Sequence, residues 1–223
     1  MDKIYGRKPV LETIDAGLTI HKAYIMDQKT PIVGKIVEKL SKNNVPIKYV
    51  DKTFFEHVDM NHQGVMIEVD SYKYANLNDL ENANRLILLD KIEDPHNLGA
   101  IIRSAESFGF DGVIIPEHRS AKVNPTVYKT SAGAINNIKV VMVTNLNKTM
   151  ASLKENGFWI YGLAGEAKET IADTNLSGKV ALVVGNEGDG LSRLVRENCD
   201  VLVKIPMLGK VNSLNASVAS ALS

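Results

Sequence analysis

The first segment with chemically useful residues is DKIEDPHNLGAIIRSAESFGF, at positions 90–110. Asn97 is of a residue type that commonly caps a helix. Gly99 lies one helical turn before Arg103, so the helix surface in front of the guanidinium is bare. These features predict an anion-binding site near a helix N-terminus. A simpler interpretation is that Asn97 only caps the helix and Arg103 pairs with Glu106.

The second segment, GNEGDGLSRLV, starts at Gly185. Its closely spaced glycines would let backbone amides approach a ligand. A tight turn between a strand and a helix, capped by Asp189 or Ser192, is the simpler interpretation. That turn does not explain why Asn186 and Glu187 stand side by side. The dinucleotide-binding pattern G-x-G-x-x-G is absent here, which argues against an ordinary nucleotide-binding Rossmann domain.

The third segment, KIPMLGKVNSLNASVAS, starts at Lys204. Pro206 ends a predicted strand, and Ser213 and Asn215 flank the start of a helix built from small residues. Small residues permit close packing against a ligand or against a second helix. Taken alone, a Ser/Asn helix cap is the default interpretation of this segment.

These segments must be positioned by a sheet. Aliphatic runs predict six strands, at 86–89, 112–116, 138–143, 158–164, 180–185 and 201–206. Helical stretches separate them, so we predict an α/β fold with a parallel sheet covered on both faces. Ligands of such sheets bind at the carboxyl ends of the strands. Trp159 is expected to be buried in its strand. The apolar face of the helix after position 95 should comprise Leu98, Ile101, Ile102, Ala105 and Phe108.

The front of the chain reads as a separate small α/β domain. We predict helices at 8–16 and 32–40 and strands at 22–26, 47–50 and 65–69. Lysines 35, 39 and 42 share a helical face, which is more simply a solvated surface than an RNA-binding stripe. The polar stretch that follows predicts an interdomain linker. The expected organisation is therefore a first domain at 1–72, a linker at 73–84 and a second domain at 85–223.

Composition limits the remaining possibilities. The 223 residues include 26 Lys plus Arg and 26 Asp plus Glu, so no overall basic field indicates nucleic acid, and any RNA must bind local patches. The charged N-terminus and the lack of a long apolar run predict a cytoplasmic protein. Cys199, the single cysteine, is expected to be a small buried apolar residue. His57 and His62 lack the spacing of metal ligands, and we expect no metal.

Together, the three segments resemble the three motifs of the SpoU family of RNA ribose methyltransferases, within the SPOUT superfamily. The likeness runs through Asn97 to Arg103, then Gly185 to Gly188, then Ile205 to Asn215 and onward to Ser217. The front end, with IYGRKPVLE from Ile4 and HQGV from His62, resembles the L30e-like RNA-binding domain of bacterial large-subunit rRNA guanosine 2′-O-methyltransferases.

The resemblance implies an enzyme that methylates a ribose 2′-hydroxyl with S-adenosylmethionine as cofactor. It also implies a C-terminal trefoil knot, a rare exception to the rule against threaded chains. It further implies a homodimer, formed near the small-residue helix, and a last helix that continues beyond Ser223. By motif, the residues implied to bind the cofactor are Leu163, Gly165, Gly185, Asn186, Gly188, Ile205, Met207 and Leu214, with Ile205 and Leu214 acting through backbone groups.

The implied catalytic residues are Arg103, Asn97, Glu187, Ser213 and Asn215. The family's usual account makes the arginine a general base. An arginine keeps its proton under physiological conditions, so we assign Arg103 to clamping phosphate and stabilising the developing alkoxide. Glu187 is expected to hold its guanidinium. The identity of the base is left open at this point.

The implied RNA-binding residues of the first domain are Arg7, Lys8, His62 and Gln63. Large-subunit rRNA, at a guanosine, is the expected substrate; an adenosine in rRNA or a tRNA nucleotide are alternatives. A non-catalytic ribosome-associated RNA-binding protein is an alternative from another class, suggested by the L30e-like front end. A nucleotide-dependent oxidoreductase is a second alternative, and it lacks the expected glycine pattern.

Overall fold

The computed structural model describes residues 1–27, 30–58, 61–209 and 213–222. Contacts among these residues divide the chain into two compact units. The first unit comprises Met1–Lys73 together with Val123–Lys129, and the second comprises Tyr74–Lys122 and the chain from Thr130 onward. Within the described ranges, no helix combines the length and the apolar character needed to cross a membrane.

A four-stranded mixed sheet forms the centre of the first unit. Its strands are β1 (Asp2–Tyr5), β2 (Ile20–Met26), β3 (Ile47–Val50) and β4 (Val65–Val69), in the order β1-β4-β2-β3. Strand β4 is antiparallel to β1 and β2, and β2 is parallel to β3. Helices α1 (Arg7–Asp15) and α2 (Pro31–Lys42) correspond to the two predicted helices, and a 3-10 helix (Lys52–Phe55) is an addition. Strand β1 was not predicted.

The core of the first unit follows from its apolar spacing. Helix α2 buries Val33, Ile36 and Leu40, which recur every three or four residues and so lie on one face. They pack with Ile25 and Ile67 of the central strands. The opposite face of α2 carries the lysines, and Lys42 forms an ion pair with Glu38 at 2.7 Å. The solvated interpretation of that lysine face agrees with this arrangement.

A seven-stranded parallel sheet forms the centre of the second unit. Its strands are β5 (Arg85–Asp90), β6 (Gly112–Pro116), β7 (Lys139–Val143), β8 (Phe158–Leu163), β9 (Glu169–Thr170), β10 (Lys179–Gly185) and β11 (Val201–Lys204). The order is β7-β6-β5-β10-β8-β11-β9, and every neighbouring pair is parallel. All six predicted strands are present, and β9 is an addition.

Helices precede, connect and follow these strands. They are α3 (Pro95–Ser107), α4 (Pro125–Thr130), α5 (Leu146–Glu155), α6 (Arg193–Glu197) and α7 (Ala216–Ala221), with 3-10 helices at Leu77–Leu80, Ala134–Asn136 and Ile171–Asp173. The central strands are buried along most of their length, as parallel strands covered on both faces should be. Most of α4 belongs to the first unit, where Lys129 lies 3.6 Å from Glu12.

The stretch expected to be a linker is largely part of the second unit. Ala75 pairs with Val141 at the edge of the sheet, and Leu80 and Ala83 are buried in the core. A Cβ on Gly112 would lie 2.8 Å from Leu80 Cδ2, so the absence of a side chain at position 112 makes room for Leu80. The polar composition of residues 73–84 did not indicate this packing, because only two residues of the stretch are deeply buried.

Two apolar side chains are more exposed than predicted. Trp159 was expected to be buried but is 56% exposed, near the start of β8. Phe108 was expected on the apolar face of α3 but lies just past its end as the C-cap, and it is 58% exposed. The other four residues predicted for that face are buried. Cys199 packs against the core as expected, and burial raises the pKa of its thiol to about 12.

Candidate active site

Four adjacent strands place the predicted segments together. Strands β5, β10, β8 and β11 are neighbours and parallel, so their carboxyl ends lie at one edge of the sheet. The chain leaves β5 toward α3, leaves β10 through residues 186–192, and leaves β11 toward Asn215 at the start of α7. Each segment that the sequence singled out therefore starts at the edge where α/β sheets bind their ligands.

The loop after β10 is held closed by its own polar groups. Asn186 Oδ1 accepts a hydrogen bond from Gly188 N at 2.8 Å, and the Asn186 carbonyl accepts one from Gly190 N at 2.9 Å. Asn186 Nδ2 reaches the carbonyl of Lys91, after β5, at 3.3 Å. A Cβ on Gly185 would lie 2.3 Å from Gly190 C, so this turn requires glycine at position 185. Asn186 thus fixes the direction of the next side chain.

That next side chain, Glu187, organises a polar cluster contributed by all three segments. Its Oε1 accepts hydrogen bonds from Asn97 Nδ2 at 2.7 Å and from Asn215 Nδ2 at 2.6 Å. Asn215 Nδ2 also donates to Asn97 Oδ1 at 3.0 Å, and Ala216 N lies 3.3 Å from the same carboxylate oxygen. The three polar side chains therefore hold one another in a defined geometry.

One of the two helix-cap predictions for these residues was wrong and the other was right. Asp94 caps α3, accepting from His96 N at 2.9 Å with Pro95 in the first turn, whereas Asn97 is inside the helix and 9% exposed. The amide of Asn97 is thereby free to face the cluster instead of the helix end. Asn215 does cap its helix, because its Oδ1 accepts from Ser217 N at 3.0 Å.

Arg103 also differs from expectation. Glu187 was expected to hold its guanidinium, but the amides of Asn97 and Asn215 occupy that carboxylate. The alternative pairing with Glu106 is absent too, since Glu106 accepts from Asn137 Nδ2 at 3.1 Å. Arg103 is exposed and makes no ion pair or hydrogen bond within the part of the chain that the structure describes. Its guanidinium is therefore available to an anion from outside.

A cavity lies beside the polar cluster. Its narrower part, of about 140 Å³, and its wider part, of about 810 Å³, share several lining residues. All eight residues implied to bind a cofactor line one part or both, as do Glu187 and Ser213. Gly165 has no atom within 4 Å of the position a Cβ would occupy, so bare main chain borders the cavity there. The arrangement suits a small, partly apolar ligand with a few placed polar contacts.

Some residues of this site were not singled out from the sequence. Lys204 lines both parts of the cavity, and Arg196 forms an ion pair with Glu166 at 2.7 Å beside the wider part. Asp90, at the end of β5, is 5% exposed, and its Oδ2 accepts from Ser192 N at 2.6 Å. A carboxylate that ends a buried parallel strand was the available signal for Asp90. No sequence signal indicated the ion pair between Arg196 and Glu166, because the two residues are far apart in sequence.

Removing the Asp90 carboxylate should destabilise the fold. Asp90→Ala removes the acceptor of the partly buried Ser192 N at the start of α6, and we expect a loss of about 1 kcal/mol, the lower end of the cost of an unpaired buried amide. Asp90→Asn keeps an acceptor oxygen and serves as the matched control, with a smaller loss. The free energy of unfolding, measured by urea denaturation, checks this. Equal stability of Asp90→Ala and the wild type would contradict the assigned role.

The residues implied to bind RNA in the first unit only partly converge. Arg7 N donates to Gln63 Oε1 at 3.1 Å, and Arg7 Nε donates to the Gln63 carbonyl at 3.2 Å. These two residues and His62 line a separate cavity of about 370 Å³. Lys8 is exposed beside Arg7 but does not line it. The described ranges contain no group of three or more His, Cys, Asp or Glu side chains placed to share a metal ion.

The parallel sheet, with its polar cluster and cavity at the carboxyl ends of the strands, defines an α/β enzyme that binds a small ligand. Residues 84–223 match the SpoU rRNA Methylase family, and residues 3–75 match the domain described as RNA 2'-O ribose methyltransferase substrate binding. The chain therefore belongs to the SpoU rRNA methylase family.

Relatives and solved structures agree with this membership. YacO of Bacillus subtilis (strain 168), a putative TrmH family tRNA/rRNA methyltransferase, is 40% identical over 99% of this chain and 92% of the relative. A protein of the same description from Staphylococcus saprophyticus is 41% identical over 98% and 92%. The SpoU methyltransferase AviRb from Streptomyces viridochromogenes, solved with AdoMet, has a TM-score of 0.65 at 23% identity, covering 99% of this chain and 87% of that one. This likeness confirms the predicted α/β fold.

Proposed function

We propose that this chain transfers a methyl group from S-adenosylmethionine to a ribose 2′-hydroxyl of RNA, at a guanosine of large-subunit rRNA. The observation that carries the proposal is the cluster of Asn97, Glu187 and Asn215, which unites the three family motifs beside one cavity. A protein that only binds RNA has no need of a carboxylate held in place by two amides at the wall of a cavity. We also propose that the second unit contains the trefoil knot of the family. We further propose that the protein is cytoplasmic.

The residues around the cavity fit the proposed cofactor. Leu163, Ile205 and Leu214 supply apolar surface, and Gly165 and Gly185 leave main-chain groups uncovered. Asn186, Gly188 and Met207 complete the set of residues that would hold it. The wider part of the cavity alone, at about 810 Å³, has the volume that small-ligand sites require. A structural relative solved with AdoMet adds support.

When bound, the cofactor supplies a methyl group on a positively charged sulfur. The chain's task is to hold the ribose oxygen in line with that group and to stabilise the charge that develops as its proton leaves. Asn97 and Asn215 fix the Glu187 carboxylate at the cavity, where it and Ser213 orient the reactants. Arg103, unpaired within the described residues, clamps a phosphate of the RNA and stabilises the alkoxide.

Calorimetry with S-adenosylmethionine tests the cofactor assignment. We expect one binding site per chain, and Glu187→Gln should weaken methyl transfer more than cofactor affinity because the carboxylate acts on the reactants.

Mapping of 2′-O-methylation on rRNA from a strain lacking the protein tests the substrate. Loss of methylation at one guanosine is expected. Absence of any heat on titration with S-adenosylmethionine would refute the enzyme assignment in favour of a pure RNA binder. Loss of methylation at an adenosine or in tRNA would show that this nucleotide is the substrate instead.

We further propose that the protein is a homodimer formed through the second unit. Support comes from apolar side chains that solvent reaches there: Phe108, Trp159, Val218 and Leu222 are each 46 to 58% exposed. Phe108 and Leu222 border a recess of about 360 Å³. Exposed apolar side chains that share one recess, as Phe108 and Leu222 do, are typical of an interaction site.

Light scattering should therefore give twice the 24.4 kDa chain mass at micromolar concentration. Leu222→Glu should shift the equilibrium toward monomer, because it puts a charge into the apolar contact. Leu194→Glu changes a similarly exposed leucine of α6 and serves as the control. A monomeric wild type would end this proposal.

A further inference from the structure

The cavity of the first unit is walled by an aromatic ring system and flanked by cations. Phe55, His62 and Met26 line it, together with Arg7, Lys52 and Gln63. We propose that this cavity binds one unstacked nucleobase from a single-stranded part of the RNA, with the ring of His62 as the stacking surface. The inference rests on the proposed function only in taking RNA as the ligand.

The rings form a continuous row that ends at the cavity. The imidazole of His62 lies parallel to the ring of Phe55, with centroids 4.3 Å apart and an angle of 1° between the planes. Phe55 is buried, and it meets Phe54 edge to face at 5.1 Å. Phe54 in turn stacks on Tyr24 at 4.9 Å. This backing fixes the plane of the His62 ring before any ligand arrives.

A hydrogen bond fixes the same ring from its edge. Gly64 N donates to His62 Nδ1 at 3.0 Å, so Nδ1 acts as an acceptor and the neutral imidazole carries its hydrogen on Nε2. The side chain is only half-buried and lines the cavity, and the face of the ring opposite Phe55 is the one assigned to the base. A flat, pre-oriented ring at a cavity is a suitable platform for a base, since stacking costs little when no side chain must be ordered.

Charge indicates the class of ligand. Arg7 and Lys52 border the cavity, and Glu56 is the one acid among its described lining residues. The backbone of Gln63 holds the Arg7 side chain in place through the bond from Nε. Cations beside a stacking surface suit the phosphates on either side of a nucleobase. Bases in duplex RNA are stacked within the helix, so only an extruded or single-stranded base can enter.

Fluorescence titration of the full chain tests the proposal, with a short single-stranded RNA carrying a central 2-aminopurine as the probe. The wild type should bind it more tightly than the same strand in a duplex and should quench its emission by stacking. His62→Ala should weaken binding about 5- to 100-fold and lose the quenching. His62→Phe keeps a ring and should retain both. His57→Ala, an exposed histidine outside the cavity lining, is the matched control and should bind as the wild type.

Salt dependence separates stacking from phosphate contact. Lys52→Ala should lower the slope of log affinity against log salt by about 0.7, the value for one phosphate contact on a single strand. His62→Ala should leave that slope unchanged. Either wild-type affinity in His62→Ala or an equal loss in His62→Phe would overturn the stacking role. Such a result would leave S-adenosylmethionine binding intact, whereas failure of the proposed function would appear as absent cofactor binding in a protein that still quenches the probe.

Discussion

Arg103→Ala is expected to methylate RNA about 100- to 1000-fold more slowly than the wild type under single-turnover conditions, because it lacks a preorganised charge-stabilising donor. The affinity for S-adenosylmethionine should hardly change, since Arg103 does not line the cavity. Stability should hold as well, because the side chain is exposed and unpaired in the described part of the chain. The loss would therefore report on chemistry and on RNA positioning.

Arg103→Lys distinguishes the two roles that arginine has been given. If Arg103 clamps phosphate and stabilises the alkoxide, lysine keeps the charge but not the bidentate fork, and part of the activity should survive. If Arg103 is instead a general base, Arg103→Lys should methylate no faster than Arg103→Ala near neutral pH. The rate of Arg103→Lys should then rise as the pH approaches the pKa of lysine. Rates of both variants across pH decide between these outcomes.

Arg193→Ala is the matched control for this experiment. Arg193 is exposed on α6 and pairs only loosely with Glu197, at 3.5 Å, so its removal also deletes one surface cation. It should methylate at the wild-type rate. Wild-type activity in Arg103→Ala would show that the active site has been placed wrongly.

The sequence predicted most of this site because strand ends and loops are local features. Each aliphatic run became a strand of the parallel sheet, and the segments following β5, β10 and β11 supplied the residues that meet. The hydrogen-bond partners within the site could not be predicted from these local features. The partner of Glu187 was expected to be a cation, but the buried amide of Asn97 and the capping residue Asn215 reach it first.

The errors have separate physical causes. Asp94 followed by Pro95 was a stronger helix-start signal than Asn97, because proline fits the first turn of a helix and aspartate accepts its free amides. Strand β1 has four residues and no fully buried side chain, so its pairing with β4 is a distant contact that leaves no periodicity. Trp159 is the second residue of β8 and its side chain is 56% exposed, and apolar patterning does not mark which residues of a strand solvent reaches.

Among the glycine-to-alanine substitutions in the second unit, Gly185→Ala is expected to reduce the free energy of unfolding the most. Its Cβ would lie 2.3 Å from Gly190 C, 2.4 Å from Gly190 O and 2.6 Å from Leu191 N. All three are backbone atoms, which cannot rotate away, so the turn must open. We expect a loss of about 3 kcal/mol in the free energy of unfolding, at the upper end of the usual cost of overpacking.

Opening this turn also moves Glu187, because Asn186 sets its direction through the bonds to Gly188 N and Gly190 N. A displacement of about 1 Å at a catalytic group can cost 100-fold in rate, so Gly185→Ala should lose methylation even at temperatures where it remains folded. Gly165→Ala provides the control within the same cavity: nothing lies within 4 Å of its added methyl group, so its thermal unfolding should match the wild type while cofactor affinity falls. Calorimetric unfolding and S-adenosylmethionine titration of both variants measure the two effects separately. A Gly185→Ala protein that unfolds at the wild-type temperature would show that the turn is not as closely packed as the distances require.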